Sequence, residues 1–161
     1  MRDGRFVAYH RGGSLDIAEH RLLADWAVDC AERVLPLFEG WSADERPRRA
    51  TETARAWARG EVKVGAAQKA AVAAHAAARD AASVAAKEAA RAAGHAAATA
   101  HMADHSLGAA VYALRAVEAA GGDVAAEQAW QVERLPDEIR DLVLSALDSG
   151  RFRRFSPNKP N

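Results

Sequence analysis

His101 and His105 are the pair in this 161-residue chain whose type and spacing speak most directly of chemistry. On a continuous helix, histidines four residues apart share one face and could present both imidazoles to a single metal ion. Asp104 is a candidate third ligand, although its wheel position lies off the histidine line. Glu61 is a further candidate, because two helices folded antiparallel about residue 81 would bring it level with His101. The same register places His75 near Lys87 and Glu88, away from His101, and so argues against a single four-histidine site. Plain helix-end chemistry competes with the metal reading. Asp104 can cap the helix that follows it, and histidines near a helix end can hydrogen-bond its free carbonyls. There is no His-Glu-x-x-His run, and no second carboxylate-rich helix of the kind a di-iron bundle uses. The primary reading therefore assigns no cofactor, with a divalent metal ion as the alternative.

Other catalytic signatures are missing from the sequence. It holds no glycine-rich phosphate loop, no Gly-x-Ser-x-Gly elbow and no Cys-x-x-Cys. Cys30, the single cysteine, excludes an internal disulfide and fits a reducing compartment. Its position on an apolar helix stripe makes it a buried, inert thiol. Gly94 and Gly108 sit inside helical patterns at a cost of about 1 kcal/mol each relative to alanine. Close helix crossing accounts for them better than catalysis does. The sequence reads as that of a non-enzyme.

The elements that must position these residues are helices, and an alanine-saturated stretch dominates them. Of the 39 residues from 66 to 104, 22 are alanine, the strongest intrinsic helix former. On a helical wheel Val64, Gly65, Gln68, Lys69, Val72, His75 and Arg79 gather on one side, and Ala66, Ala67, Ala70, Ala71, Ala73, Ala74, Ala77 and Ala78 fill the rest. In the second half, a helix expected over about 84–102, Val84, Lys87, Glu88, Arg91, His95 and Met102 oppose Ala85, Ala86, Ala89, Ala93, Ala96 and Ala97. Random low-complexity sequence would not sort this way. A single helix over 62–121 would run about 90 Å at 1.5 Å per residue, too long for one domain, so a break is expected at 80–83. The result is a central alanine-rich hairpin packed through small side chains.

Around it the spacing predicts further helices. One begins after a Ser14 cap and buries Leu23, Ala27, Cys30, Val34 and Leu37, with Pro36 ending or kinking it. A second, capped by Asp44 with Pro47 in its first turn, buries Ala50, Ala54 and Trp57 and ends at Gly60. It carries Arg46, Arg48, Arg49, Arg55 and Arg59, readable as a solvated face or as a basic docking patch for a protein partner. Later helices start near 84, near 104 and after Asp123. The last follows Pro136, with Ile139, Leu142, Val143, Ala146 and Leu147 on one face. The fold class is all-α: a compact bundle of about six to seven helices, with an extended lead over 1–13, one helical domain over 14–150 and a flexible basic tail over 151–161. The 22 basic and 22 acidic residues balance, so nothing global favours nucleic acid or a membrane surface. No signal-peptide core and no transmembrane run is present, and the expected compartment is the cytoplasm. If the alanine face continued between chains, a homodimer would result.

The stretches His20-Arg-Leu-Leu-Ala-Asp-Trp26-Ala-Val-Asp-Cys30, Ala54-Arg-Ala-Trp57-Ala-Arg-Gly60, Ala92-Ala-Gly-His95 through His101-Met-Ala-Asp-His105, and Leu135-Pro-Asp-Glu-Ile-Arg140 carry a resemblance. It covers most of residues 5–147 and excludes the tail after residue 150; the stretch from 79 to 87 is short for the group. With these residues the chain resembles the small, all-helical, alanine-rich immunity proteins proposed for bacterial polymorphic-toxin systems. The resemblance implies a cytoplasmic protein that binds and neutralises a partner toxin. It supplies no catalytic residues.

Overall fold

The computed structural model describes residues 3–157; residues 1, 2 and 158–161, the extremities of lead and tail, lie outside the described residues. The order of helices is α1 Ile17–Val34, the single turn α2 Pro36–Glu39, α3 Arg46–Ala58, α4 Val64–Asp80, α5 Val84–Ala98, α6 His105–Ala119, α7 Val124–Glu133 and α8 Asp137–Leu147. Short 3-10 turns at Gly4–Phe6, Tyr9–Arg11 and Gly150–Phe155 complete the order, with no strand among the described residues. The fold is all-α, as the periodicity predicts.

Local chemistry sets the helix boundaries. Asp16, not Ser14, caps α1: its carboxylate accepts the Glu19 N–H at 2.8 Å, and Glu19 reciprocates to the Asp16 N–H. This reciprocal box satisfies two otherwise orphaned donors, which a lone serine two residues earlier does not do. Ser83 and Asp123 cap α5 and α7 without such reciprocity, accepting from the N–H groups of Ala86 and Ala126. Gly60 and Gly121 follow α3 and α6 with φ of +76° and +74°, a left-handed conformation that costs glycine nothing. The lead is not extended. Tyr9 N–H donates to the Leu15 carbonyl and Leu15 N–H to the Val7 carbonyl, folding it into a hook that buries Phe6 and Leu15.

The hairpin α4–α5 is present, but α5 is more than one arm of it. It packs against α1, α2, α3, α4 and α6, and Ala86, Ala89, Ala90, Ala92, Ala93, Ala96 and Ala97 are fully buried. The wheel's division of α5 largely holds, with Val84 exposed and Lys87, Arg91 and His95 half-buried; Glu88 departs from it, at only 7% exposed. The alanine faces meet within one chain, which removes the basis for a dimer built on them. On the outer side, α1 buries Leu23, Trp26, Ala27, Cys30 and Val34. Trp26 Nε1 donates to the Gln131 carbonyl at 2.9 Å, and Gln131 Nε2 donates to the Ala110 carbonyl at 3.1 Å. These two bonds tie α1, α7 and α6 together. The tail lies on the body: Phe152 and Phe155 pack against the core, and Gln128 donates to the Phe155 carbonyl.

His20, on the buried face of α1, secures the end of α5. Its Nε2 meets the Thr99 carbonyl at 2.6 Å, and since a carbonyl only accepts, Nε2 carries the proton. The ring also stands edge-on to Trp57, centroids 4.7 Å apart. Burial pushes the His20 imidazole below its usual value of 6.5; the bond to Thr99 opposes this, and the charges of His10 and Arg11 add to it. The folded protein thus binds fewer protons here than the unfolded chain. Its contribution to stability is whole above about pH 6.5 and is lost as pH falls, at a limiting slope of about 1.4 kcal/mol per pH unit. Urea midpoints measured from pH 7.5 down to 5 are expected to fall more steeply for the native chain than for His20→Gln, which keeps a donor but does not titrate.

Candidate functional site

The five arginines of α3 and its end each meet a carboxylate of the same chain. Arg46 holds Asp44 at 2.6 Å and Asp80 at 3.1 Å, Arg49 holds Glu45 at 2.7 Å, and Arg59 holds Glu61 at 2.7 Å. Arg48 pairs with Glu39. Arg55 gathers three acids of α1, Asp29 at 2.9 Å, Asp25 at 3.2 Å and Glu32 at 3.4 Å. The face is therefore a mosaic of ion pairs rather than a free basic patch. Arg59 also holds the Glu61 carboxyl below its ordinary range. Glu61 lies half-exposed in the loop before α4, paired with Arg59.

The histidines are arranged differently from the expectation. The helix stops at Ala98 and the next begins at His105, so His101 and His105 do not share a helix face. Asp104 occupies the cap position of α6, but its side chain makes no capping hydrogen bond there. The α4–α5 register is also shifted. His75 lies against Gly94 and His95, not against Lys87 and Glu88, with the His75 and His95 ring centroids 5.2 Å apart. From there the imidazoles form a row. His95 and His105 are 5.0 Å apart and His105 and His101 5.4 Å, centroid to centroid. Within it the Nδ1 atoms of His95 and His105 meet at 3.0 Å, one donating and the other accepting. Tyr112 stacks on His95 at 4.9 Å.

Two glycines make the row fit. A Cβ at position 94 would come within 2.7–2.9 Å of three atoms of the His75 ring, and a Cβ at 108 would stand 2.6 Å from His95 Nδ1. The glycines admit imidazoles, where the sequence suggested only close helix crossing. Gly94→Ala is expected to destabilise by about 1 kcal/mol or more, because overpacking outweighs the better helix propensity of alanine. In a His75→Ala background the same change becomes neutral or stabilising; a double-mutant cycle in urea reads the sign reversal.

His95, Asp104, His105, Gly108, Tyr112 and Arg115 line a recess of about 250 Å³, closed on its far side by Phe152 and Phe155 of the tail. Arg115 lies over the rings of Tyr112 and Phe155, at 5.1 and 5.7 Å, and Arg91 pairs with Glu88 at 2.9 Å beside it. His75 is held below its ordinary value by burial, and further by Arg91 and Arg79. Among the described residues, no three His, Cys, Asp or Glu side chains converge as a closed metal centre. Cys30 is buried, and burial pushes its thiol well above the usual range.

Sequence reasoning left His20, Tyr112 and Arg115 without roles and treated His75 and His95 as bystanders. The available signal was the recurrence of a helix-interior glycine opposite each of two histidines.

Residues 13–138 match the family model described as Imm-5 like putative immunity protein. The chain belongs to that family. The match runs from α1 to the first turn of α8, so it includes the α3 arginines and the whole histidine row; the tail lies beyond it. No curated protein and no solved structure matches the chain. Among the described residues no helix is long and apolar enough to cross a membrane.

Proposed function

We propose that this protein is a non-enzymatic immunity protein that neutralises a partner toxin by direct binding in the cytoplasm. Membership of the family over residues 13–138 carries this reading. The architecture suits it. Helices locked through alanine hold their outer surfaces in fixed positions, and a preformed surface loses little conformational freedom on binding. The candidate contact face is α3 with Arg46, Arg48, Arg49, Arg55 and Arg59. Ion pairs on a rim are exchanged for a partner's charges at small net cost and act mainly on association rate. Arg49 is the most available of the five, its side chain 71% exposed.

Calorimetric titration of the purified protein against a candidate partner toxin tests the proposal. Saturable binding with a defined stoichiometry and loss of toxin activity are expected, with Arg48→Glu plus Arg49→Glu slowing association. Absence of a complex at micromolar concentrations would contradict it.

A further inference from the structure

The histidine row is built at a cost that an alanine core does not require, since it needs two helix-interior glycines where alanine would otherwise stand. We propose that His95 and His105 form a binding site for an imidazole-preferring first-row transition-metal ion, nickel, copper or zinc, held between their Nδ1 atoms. Those atoms already face each other at 3.0 Å. With metal–nitrogen bonds of about 2.0–2.1 Å, two donors stand roughly 2.9 Å apart at a right angle and roughly 3.4 Å apart at the tetrahedral angle. The pair is thus preset to the span of two adjacent ligands. On binding, the donor ring moves its proton from Nδ1 to Nε2, and the ion takes the place of the shared proton.

Three further observations support the site. Gly108 keeps the flank of His95 Nδ1 clear, since a Cβ there would stand 2.6 Å from that nitrogen. The stacked Tyr112 and the edge-on His75 fix the plane of the His95 ring, the orienting role that outer partners play around metal ligands. The recess of about 250 Å³ beside both rings has room for several waters at roughly 30 Å³ each. Two protein nitrogens with water completing the sphere make an open site. It lacks the carboxylate cage that magnesium or calcium requires. Glu61 has no part in it, and His101, one ring further along the row, is its neighbour.

The test is calorimetric titration of the full chain with nickel, zinc and magnesium chlorides. One equivalent of nickel or zinc and no magnesium is expected. His105→Asn, whose amide can keep a hydrogen bond to His95, abolishes that binding with helicity unchanged. Gly108→Ala obstructs the same nitrogen and also removes it, whereas His10→Ala, at an exposed histidine outside the row, retains it. Failure of the native chain to bind nickel or zinc overturns the proposal, as does binding that survives His105→Asn.

Discussion

Ala93→Leu is expected to destabilise the protein by about 3 kcal/mol, lowering its melting temperature by roughly 10 °C. Ala93 has no exposed surface, and α5 is enclosed by α1, α2, α3, α4 and α6. Three added carbons find no space unless at least one neighbouring helix moves. The same substitution at Ala66, on the exposed side of α4, is expected to shift the melting temperature little. Thermal unfolding followed by circular dichroism compares the two directly. Equal effects at both positions would mean that α5 is not the packed axis of the fold.

Trp26→Ala should cost about 3–5 kcal/mol, the usual range for emptying a buried aromatic site. Its ring is 2% exposed, and its Nε1 supplies the bond to the Gln131 carbonyl that joins α1 to α7. Trp26→Phe keeps most of the volume and loses the donor, so it should cost far less, close to the value of one hydrogen bond, about 1 kcal/mol. Denaturant midpoints of the two variants separate packing from hydrogen bonding. Because the loss also releases Gln131 from Ala110 indirectly, amide exchange in α7 should rise more than in α3.

The helices themselves were legible because their signals are local. The face of Ile139, Val143, Ala146 and Leu147, the Asp123 cap and the break before Val84 each need only neighbouring residues to be read. The α4–α5 register was not legible, and the reason is physical. Alanine ridges offer nearly equivalent contacts at many offsets, so the alanine pattern cannot choose between them. The choice rests on a larger side chain finding a notch, His75 at Gly94, as His95 at Gly108 does between α5 and α6. Once that register is set, His75 stands beside His95, and His95 joins His101 as a second neighbour of His105. The arginines of α3 show the complementary failure. Their clustering is visible in the sequence, and so are the nearby acids Asp44, Glu45 and Glu61 that meet Arg46, Arg49 and Arg59, but Glu39, Asp80 and the three acids of α1 come from other elements, up to 34 residues away. The family resemblance, by contrast, was readable from the Trp-Ala-x-Asp-Cys and His-x-x-Asp-His segments, both within the matched region.

Growth of cells expressing a candidate partner toxin, with and without this protein in the same cytoplasm, tests the central claim most directly. The account predicts restored growth with the native chain, retained protection by His105→Asn, and reduced protection by Arg48→Glu plus Arg49→Glu at equal protein levels. Unrelieved toxicity despite abundant, folded protein would contradict it.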